Sequence, residues 1–258
     1  MKIGIFASNL KMGVKESIVT SAKLGAEGVQ LWNSSRELTP WDLDKTGRAD
    51  LLHLIKSNGM VVAALCAEFN GGFGNPEVVE ERVAKTKEVI AMAPDLEATV
   101  ISAHIGVIPE DPNDAGWKTM AQAMEEVGQF AERLGCVFAV ETGPEAPALM
   151  ARFFSSLKTK AMKANYDPAN LLMRGYDPIA GVKALKDYIV HCHAKDGARL
   201  PDGKREEMPL GKGGVGIPAY IAALREIGYE GFVTVERESG DDREGDIRRA
   251  VEYLRTLM

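Results

Sequence analysis

Charged and imidazole side chains stand at the ends of five short apolar runs. His104 follows TVISA, Glu141 closes FAVE, Asp167 closes ANYD, His191 and His193 close IVHCH with Lys195 and Asp196 just beyond, and Glu236 closes VTVE. Charge buried without a partner or a cation is costly, so its return at one place in run after run is a chemical signal. Two or three carboxylates with one imidazole make an oxygen and nitrogen donor set. Such a set suits one divalent ion, Mn²⁺, Mg²⁺, Co²⁺ or Zn²⁺, and lacks the thiolates of a closed structural zinc site. In IVHCH the two histidines are two residues apart and point to one side of a strand, which turns Cys192 away from them. His193, nearer the end of the run, is the expected ligand, and His191, one layer deeper, its support. The fourth histidine, His53, falls in a helical stretch and reads as a surface or packing residue.

Positioning these groups requires repeated strand-then-helix units. Apolar runs at 2–7, 28–32, 60–66, 99–103, 137–141, 161–167, 189–193 and 232–236 are short, rich in Val and Ile and bounded by Gly, Pro or Asn, as buried strands are. Helical periodicity follows each, at 14–24, 47–58, 76–92, 115–134, 147–157, 178–188, 217–227 and 241–257. Gly25, Asn58, Gly135 and Gly228 fall where a left-handed helix cap belongs. Eight such units predict an α/β fold closed into a single (β/α)8 TIM barrel, one domain over 1–258. A doubly wound open sheet would carry a glycine-rich phosphate turn after its first strand, where this chain reads Ala7-Ser8-Asn9-Leu10. In a barrel the strand C-termini carry the active site, and that is where the charged groups fall. The 197–216 segment reads as one long irregular loop.

Composition narrows the function. The chain has 258 residues, 45% hydrophobic and 26% charged, with 31 Lys and Arg against 37 Asp and Glu and a net charge of −6. Proteins that neutralise phosphates present basic surfaces, so neither a nucleic acid nor an anionic membrane is the expected partner. Cys66, Cys136 and Cys192 are odd in number and far apart, which points to a reducing compartment. MKIGIFA is too short for a secretory leader and no run is long enough to span a membrane, so a cytoplasmic protein is expected.

The segments VETGPE, NYDPANLL, HCHAKDG, PLGKGGVGIPAYIAALREIGYEG and VTVERE together resemble the xylose isomerase-like TIM-barrel superfamily, the sugar phosphate isomerases and epimerases. The resemblance runs over essentially the whole chain. It implies one divalent ion held by Glu141, Asp167, His193 and Glu236, with Glu141 and Glu236 also acting as the acid/base pair. The implied reaction is isomerisation or epimerisation of a small sugar or sugar derivative, by proton transfer next to a carbonyl through a metal-stabilised enediolate. Homodimers or homotetramers are implied as well. Two departures matter. Asn170 stands where the superfamily's endonucleases and many of its ketose 3-epimerases carry histidine, and four histidines are too few for a three-metal nuclease site.

The expected substrate contacts are His104, Asn170, Lys195, Arg199 and Trp32, with Phe69 and Asn33 also at the rim. Arg199 lies six residues after His193, where some superfamily members place a substrate-binding arginine. Other readings stay open. His104 is either a hydrogen-bonded pocket residue or a ligand, and Lys195 either meets substrate or pairs with Asp196 at the rim. Glu145 reads as a charge at a helix N-terminus. Gly71, Gly72 and Gly74 read as a flap hinge or an ordinary loop, and Gly211-Lys212-Gly213-Gly214 as a weak phosphate loop. Two further functions fit the same residues: an inosose-dehydratase-type lyase, and a sugar-binding barrel without catalysis. A salt-bridged plug closing the barrel is the reading without chemistry.

Overall fold

The structure is a computed structural model that describes residues 1–34, 36–200 and 202–258. Pro201, inside the long segment expected at 197–216, lies outside the described residues. Eight parallel strands close into a barrel: β1 (Lys2–Phe6), β2 (Gly28–Trp32), β3 (Val61–Cys66), β4 (Val100–Ala103), β5 (Val137–Glu141), β6 (Met162–Tyr166), β7 (Ile189–Ala194) and, after a hairpin of β8 (Asp196–Arg199) and β9 (Arg205–Met208), β10 (Phe232–Val235). The order around the barrel is β1-β10-β7-β6-β5-β4-β3-β2, the closed (β/α)8 architecture that the alternation of runs predicts.

Helices α1 (Val14–Leu24), α2 (Lys45–Ser57), α3 (Val79–Met92), α4 (Ala115–Arg133), α5 (Pro147–Ser156), α6 (Pro168–Arg174), α7 (Pro178–Ala184), α8 (Ile217–Glu226) and α9 (Arg243–Leu257) form the outer layer. Each buries one stripe. On α4, Trp117, Met120, Met124, Val127 and Ala131 recur at three- and four-residue steps and are all buried. Burying a large apolar side chain contributes about 1.5–3 kcal/mol, and this repeated face holds the ring of helices to the barrel. Gly4 leaves room for the Thr234 side chain on the paired strand β10, since a Cβ there would lie 2.4 Å from Thr234 Oγ1.

Three local expectations change. Asn58 sits at φ −94 and the left-handed position after α2 is Gly59 at φ 75, because Gly enters that region without a Cβ clash. The 197–216 segment is not wholly irregular, for β8 and β9 pair antiparallel from Asp196↔Met208 to Arg199↔Arg205. An extra short helix, α6, follows β6 and starts on the Asp167 side chain. Two register shifts interrupt the barrel, one between Val29 and Gln30 and one between Ala164 and Asn165. Such irregularities bend a strand and re-aim its side chains.

Candidate metal centre

The strand ends converge on one buried cluster. Glu141 ends β5, Asp167 follows β6, His193 lies on β7 and Glu236 follows β10. One ligand atom from each falls within 4.8 Å of all the others, and all four residues are buried. Asp167 spends Oδ1 on the amides of Ala169 (2.8 Å) and Asn170 (3.0 Å), which starts α6 and leaves Oδ2 facing the cluster. His193 Nδ1 lies 2.9 Å from Glu236 Oε2, 3.7 Å from Glu141 Oε1 and 3.8 Å from Asp167 Oδ2. None of these contacts has hydrogen-bond geometry, and Nδ1, Asp167 Oδ2 and Glu236 Oε2 are all buried without a hydrogen-bond partner among the described residues. An unpaired buried polar atom costs about 1–3 kcal/mol. Three such atoms turned toward one point, with the Glu141 carboxylate beside them, could hold a divalent cation, and the chemistry of the set fits one.

Behind the cluster lies a support that strand-end reasoning passed over. Gln30 is fully buried in β2. Its Nε2 lies 3.1 Å from Ser102 Oγ, and its Oε1 lies 3.0 Å from His193 Nε2 and 3.1 Å from His191 Nε2. Asn165 Nδ2 is also 3.2 Å from His193 Nε2, and these two amides on one edge of the ring turn Nδ1 toward the carboxylates. Asn165 donates Nδ2 to Glu141 Oε2 (3.2 Å). Both amides sit at the barrel's two register shifts. A polar residue in the middle of an apolar strand, as in GVQLW and AMKANY, was the available signal.

Burial and neighbours set the charges. Burial raises Glu141 to about 7 against the pull of His104 and His193. Burial also opposes ionisation of Glu236, but His193 and Lys195 beside it win and hold its carboxyl below the ordinary value. Burial and the neighbouring His193 push His191 down to about 3, so it stays neutral. His104 is raised to about 9, first by Glu141 and then by Glu68. Glu68 Oε2 accepts from the His104 backbone amide (2.7 Å) and faces Nδ1 at 3.2 Å, while Nε2 faces Glu141 Oε1 at 3.6 Å. Arg82, buried behind Glu68, donates to the carbonyls of Phe69 and His104.

The remaining expected contacts divide. Asn170 donates Nδ2 to Glu141 Oε1 (3.1 Å). Lys195 is buried, with Nζ 3.1 Å from Glu236 Oε2 and 2.6 Å from Glu238 Oε2. It does not pair with Asp196, whose carboxylate turns to the glycine-rich loop and accepts from the amides of Gly197 (2.9 Å), Gly211 (3.0 Å), Gly213 (2.9 Å) and Val215 (3.1 Å). With those amides engaged, the phosphate reading of the GKGG stretch does not hold. Trp32 stacks on Phe6 with ring centres 5.7 Å apart, and Phe6 lies 6.2 Å from His193. Asn33 spends its Nδ2 on the Leu38 carbonyl (3.0 Å), and Phe69 packs by Trp41. Arg199 is exposed and packs against Gly175 at the end of α6, apart from the four clustered residues.

Glu145 stands at the N-terminus of α5, as expected, but is buried there, and burial raises it to about 7. The Gly71-Gly72 turn is pinned rather than hinged, with Phe73 fully buried and bonded through its amide to the Ile105 carbonyl (2.8 Å). Cys192 is buried beside the Tyr220 and Tyr229 hydroxyls, and burial raises its thiol to about 12. All three cysteines are free. Among the described residues no helix is long and apolar enough to cross a membrane.

Residues 19–257 match the family model described as xylose isomerase-like TIM barrel. The chain belongs to the xylose isomerase-like TIM-barrel family. Within this family's fold, a xylose isomerase domain protein from Planctomyces limnophilus superposes with a TM-score of 0.87 at 25% identity, covering 99% of this chain and 96% of that one. A D-tagatose 3-epimerase-like protein superposes at 0.81 and 20% identity, over 100% and 98%, a likeness of fold. Among curated proteins, an inosose dehydratase of Lacticaseibacillus casei is 23% identical over 166 residues, 56% of each chain. The matched stretches span 48–66% of the curated relatives' lengths.

Proposed function

We propose that this xylose isomerase-like barrel is a divalent-metal-dependent isomerase or epimerase of a small sugar or sugar derivative, moving a proton next to a carbonyl. The observation that carries the reading is the convergence of three buried donor atoms without a hydrogen-bond partner among the described residues, Asp167 Oδ2, His193 Nδ1 and Glu236 Oε2, beside the Glu141 carboxylate. Glu141, Asp167, His193 and Glu236 are the residues that would hold the ion. When bound, the ion supplies a Lewis acid for a carbonyl and its neighbouring hydroxyl.

The chain's own groups divide the proton work. Glu236, held ionised by His193 and Lys195, is the group to take a proton from carbon. Glu141, held by Asn165 and Asn170 and faced by His104, is the group to return it. Opposed environments for two carboxyls are how acid and base roles separate. Lys195 and His104 present positive charge to substrate oxygens, and Asn170 keeps the Glu141 carboxylate oriented. The likeness to an epimerase-like protein and to a dehydratase of inososes supports sugar-type substrates.

A second reading, a dehydratase on the same residues, is favoured by one observation: Lys195 Nζ, a buried cation that could steady a departing oxygen, lies 3.1 Å from the carboxylate that would take the carbon proton. One experiment addresses both. Elemental analysis is followed by incubation with ketoses, aldoses and keto-inositols in deuterated water with Mn²⁺. Deuterium at the carbon beside the carbonyl, without ultraviolet absorbance, is the isomerase result, whereas a rising ultraviolet band is the dehydratase result. If no divalent ion binds or alters melting, both readings fail.

A further inference from the structure

The barrel mouth holds a second space beside the metal centre. A chamber of about 310 Å³ lies over the ends of β1 and β2, with Met12, Leu31, Trp32 and Leu38 in its walls and Lys11 and Arg243 in its lining. It adjoins the centre through two links. Glu238, also in its lining, bonds Lys195 Nζ at 2.6 Å, and Lys195 in turn reaches Glu236. Trp32 stacks on Phe6, which faces His193.

The charges in the chamber do not balance. Glu238 is answered by Lys195. Neither Lys11 nor Arg243 has a carboxylate within ion-pair distance among the described residues, and Arg243 Nε is buried without a hydrogen-bond partner. Lys11, exposed at the chamber's edge, takes φ 56 as the left-handed cap of the short turn over Ala7–Leu10. Most of the wall area is apolar, with Ser8, Asn9 and Ser17 as the neutral polar residues, so a polyol would lose more water there than it regains in partners. At about 30 Å³ for each water-sized group, the space holds about ten non-hydrogen atoms.

We propose that this chamber receives a substituent carried by the sugar, an apolar body ending in an acidic group, so that the substrate is an acid-bearing sugar conjugate rather than a free sugar. The proposal rests on the isomerase reading for what happens at the centre, but its test does not depend on that reading. The apolar walls argue against a bare phosphate as the occupant.

The test uses the full chain and phenylacetate, which has an aromatic body, a carboxylate and about the size of the chamber. Binding is followed by ligand-detected NMR and by the indole N–H signals of Trp32, in the chamber wall, and Trp117, buried on α4. Phenylacetate is expected to bind in the millimolar range and to shift Trp32 but not Trp117. Neutral phenylacetamide is expected to bind roughly three- to fivefold more weakly. Replacing both cations, Lys11→Gln with Arg243→Gln, removes that difference. Asp167→Asn abolishes metal binding and leaves phenylacetate binding intact, so failure of the centre and failure of the chamber read separately. Equal binding of acid and amide, no binding, no shift at Trp32, or displacement by inorganic phosphate at equal concentration each overturns the proposal.

Discussion

Gln30 Oε1 lies 3.0 Å from His193 Nε2, on the edge of the imidazole opposite the carboxylate cluster. The contact fixes the direction of the ring, with Nδ1 toward the carboxylates. Gln30→Leu fills similar space without the polar group and leaves Nε2 of His191 and of His193 without that partner. Metal affinity is expected to fall by roughly 10- to 100-fold, measured by competition with a chelating dye. Unchanged affinity would remove Gln30 from the centre.

Glu68 holds His104 by its amide and its ring. Glu68→Gln keeps the shape and removes the charge. The His104 titration midpoint is expected to move down from about 9, followed by NMR of the ring, because a carboxylate that favours the cation is gone. Turnover of an identified substrate should drop roughly tenfold with metal affinity retained, and Glu68→Asp should recover part of it.

Glu145 is 5% exposed, and burial lifts it from 4.5 to about 7. The folded state therefore holds this proton more tightly than the unfolded chain. Stability is greatest below the unfolded value and falls as pH rises through about 7. Glu145→Gln is expected to be more stable than the parent above pH 7 by about 2–3 kcal/mol, with the gap closing toward pH 4.5. Urea melts across that pH range check it, and a gap independent of pH would contradict it.

Asp196 accepts four backbone hydrogen bonds while only 1% exposed. Asp196→Ala strands those donors and is expected to cost about 2–4 kcal/mol. Hydrogen exchange should quicken at the amides of Gly211, Gly213 and Val215 while the barrel strands keep their protection.

All eight barrel strands were legible in the sequence because each is buried on both faces and reads as an unbroken apolar run. The clustered residues were legible because a parallel barrel delivers every strand's last residue to one rim. Gln30 and Glu68 were not. Gln30 lies mid-strand, where its neighbours Val29 and Leu31 predict packing and nothing predicts a partner on β7, 163 residues away. Glu68 lies two residues beyond β3, and only the fold sets it under His104. The hairpin inside 197–216 was hidden because REEM lacks the apolar alternation that marks a half-buried strand.

The register shifts at Gln30 and Asn165 bear on transplantation. A designer who copied the four clustered side chains onto an idealised, evenly paired barrel would match their positions and still misdirect the amides that steer them. The irregular pairing has to travel with the donor atoms, as part of the same graft.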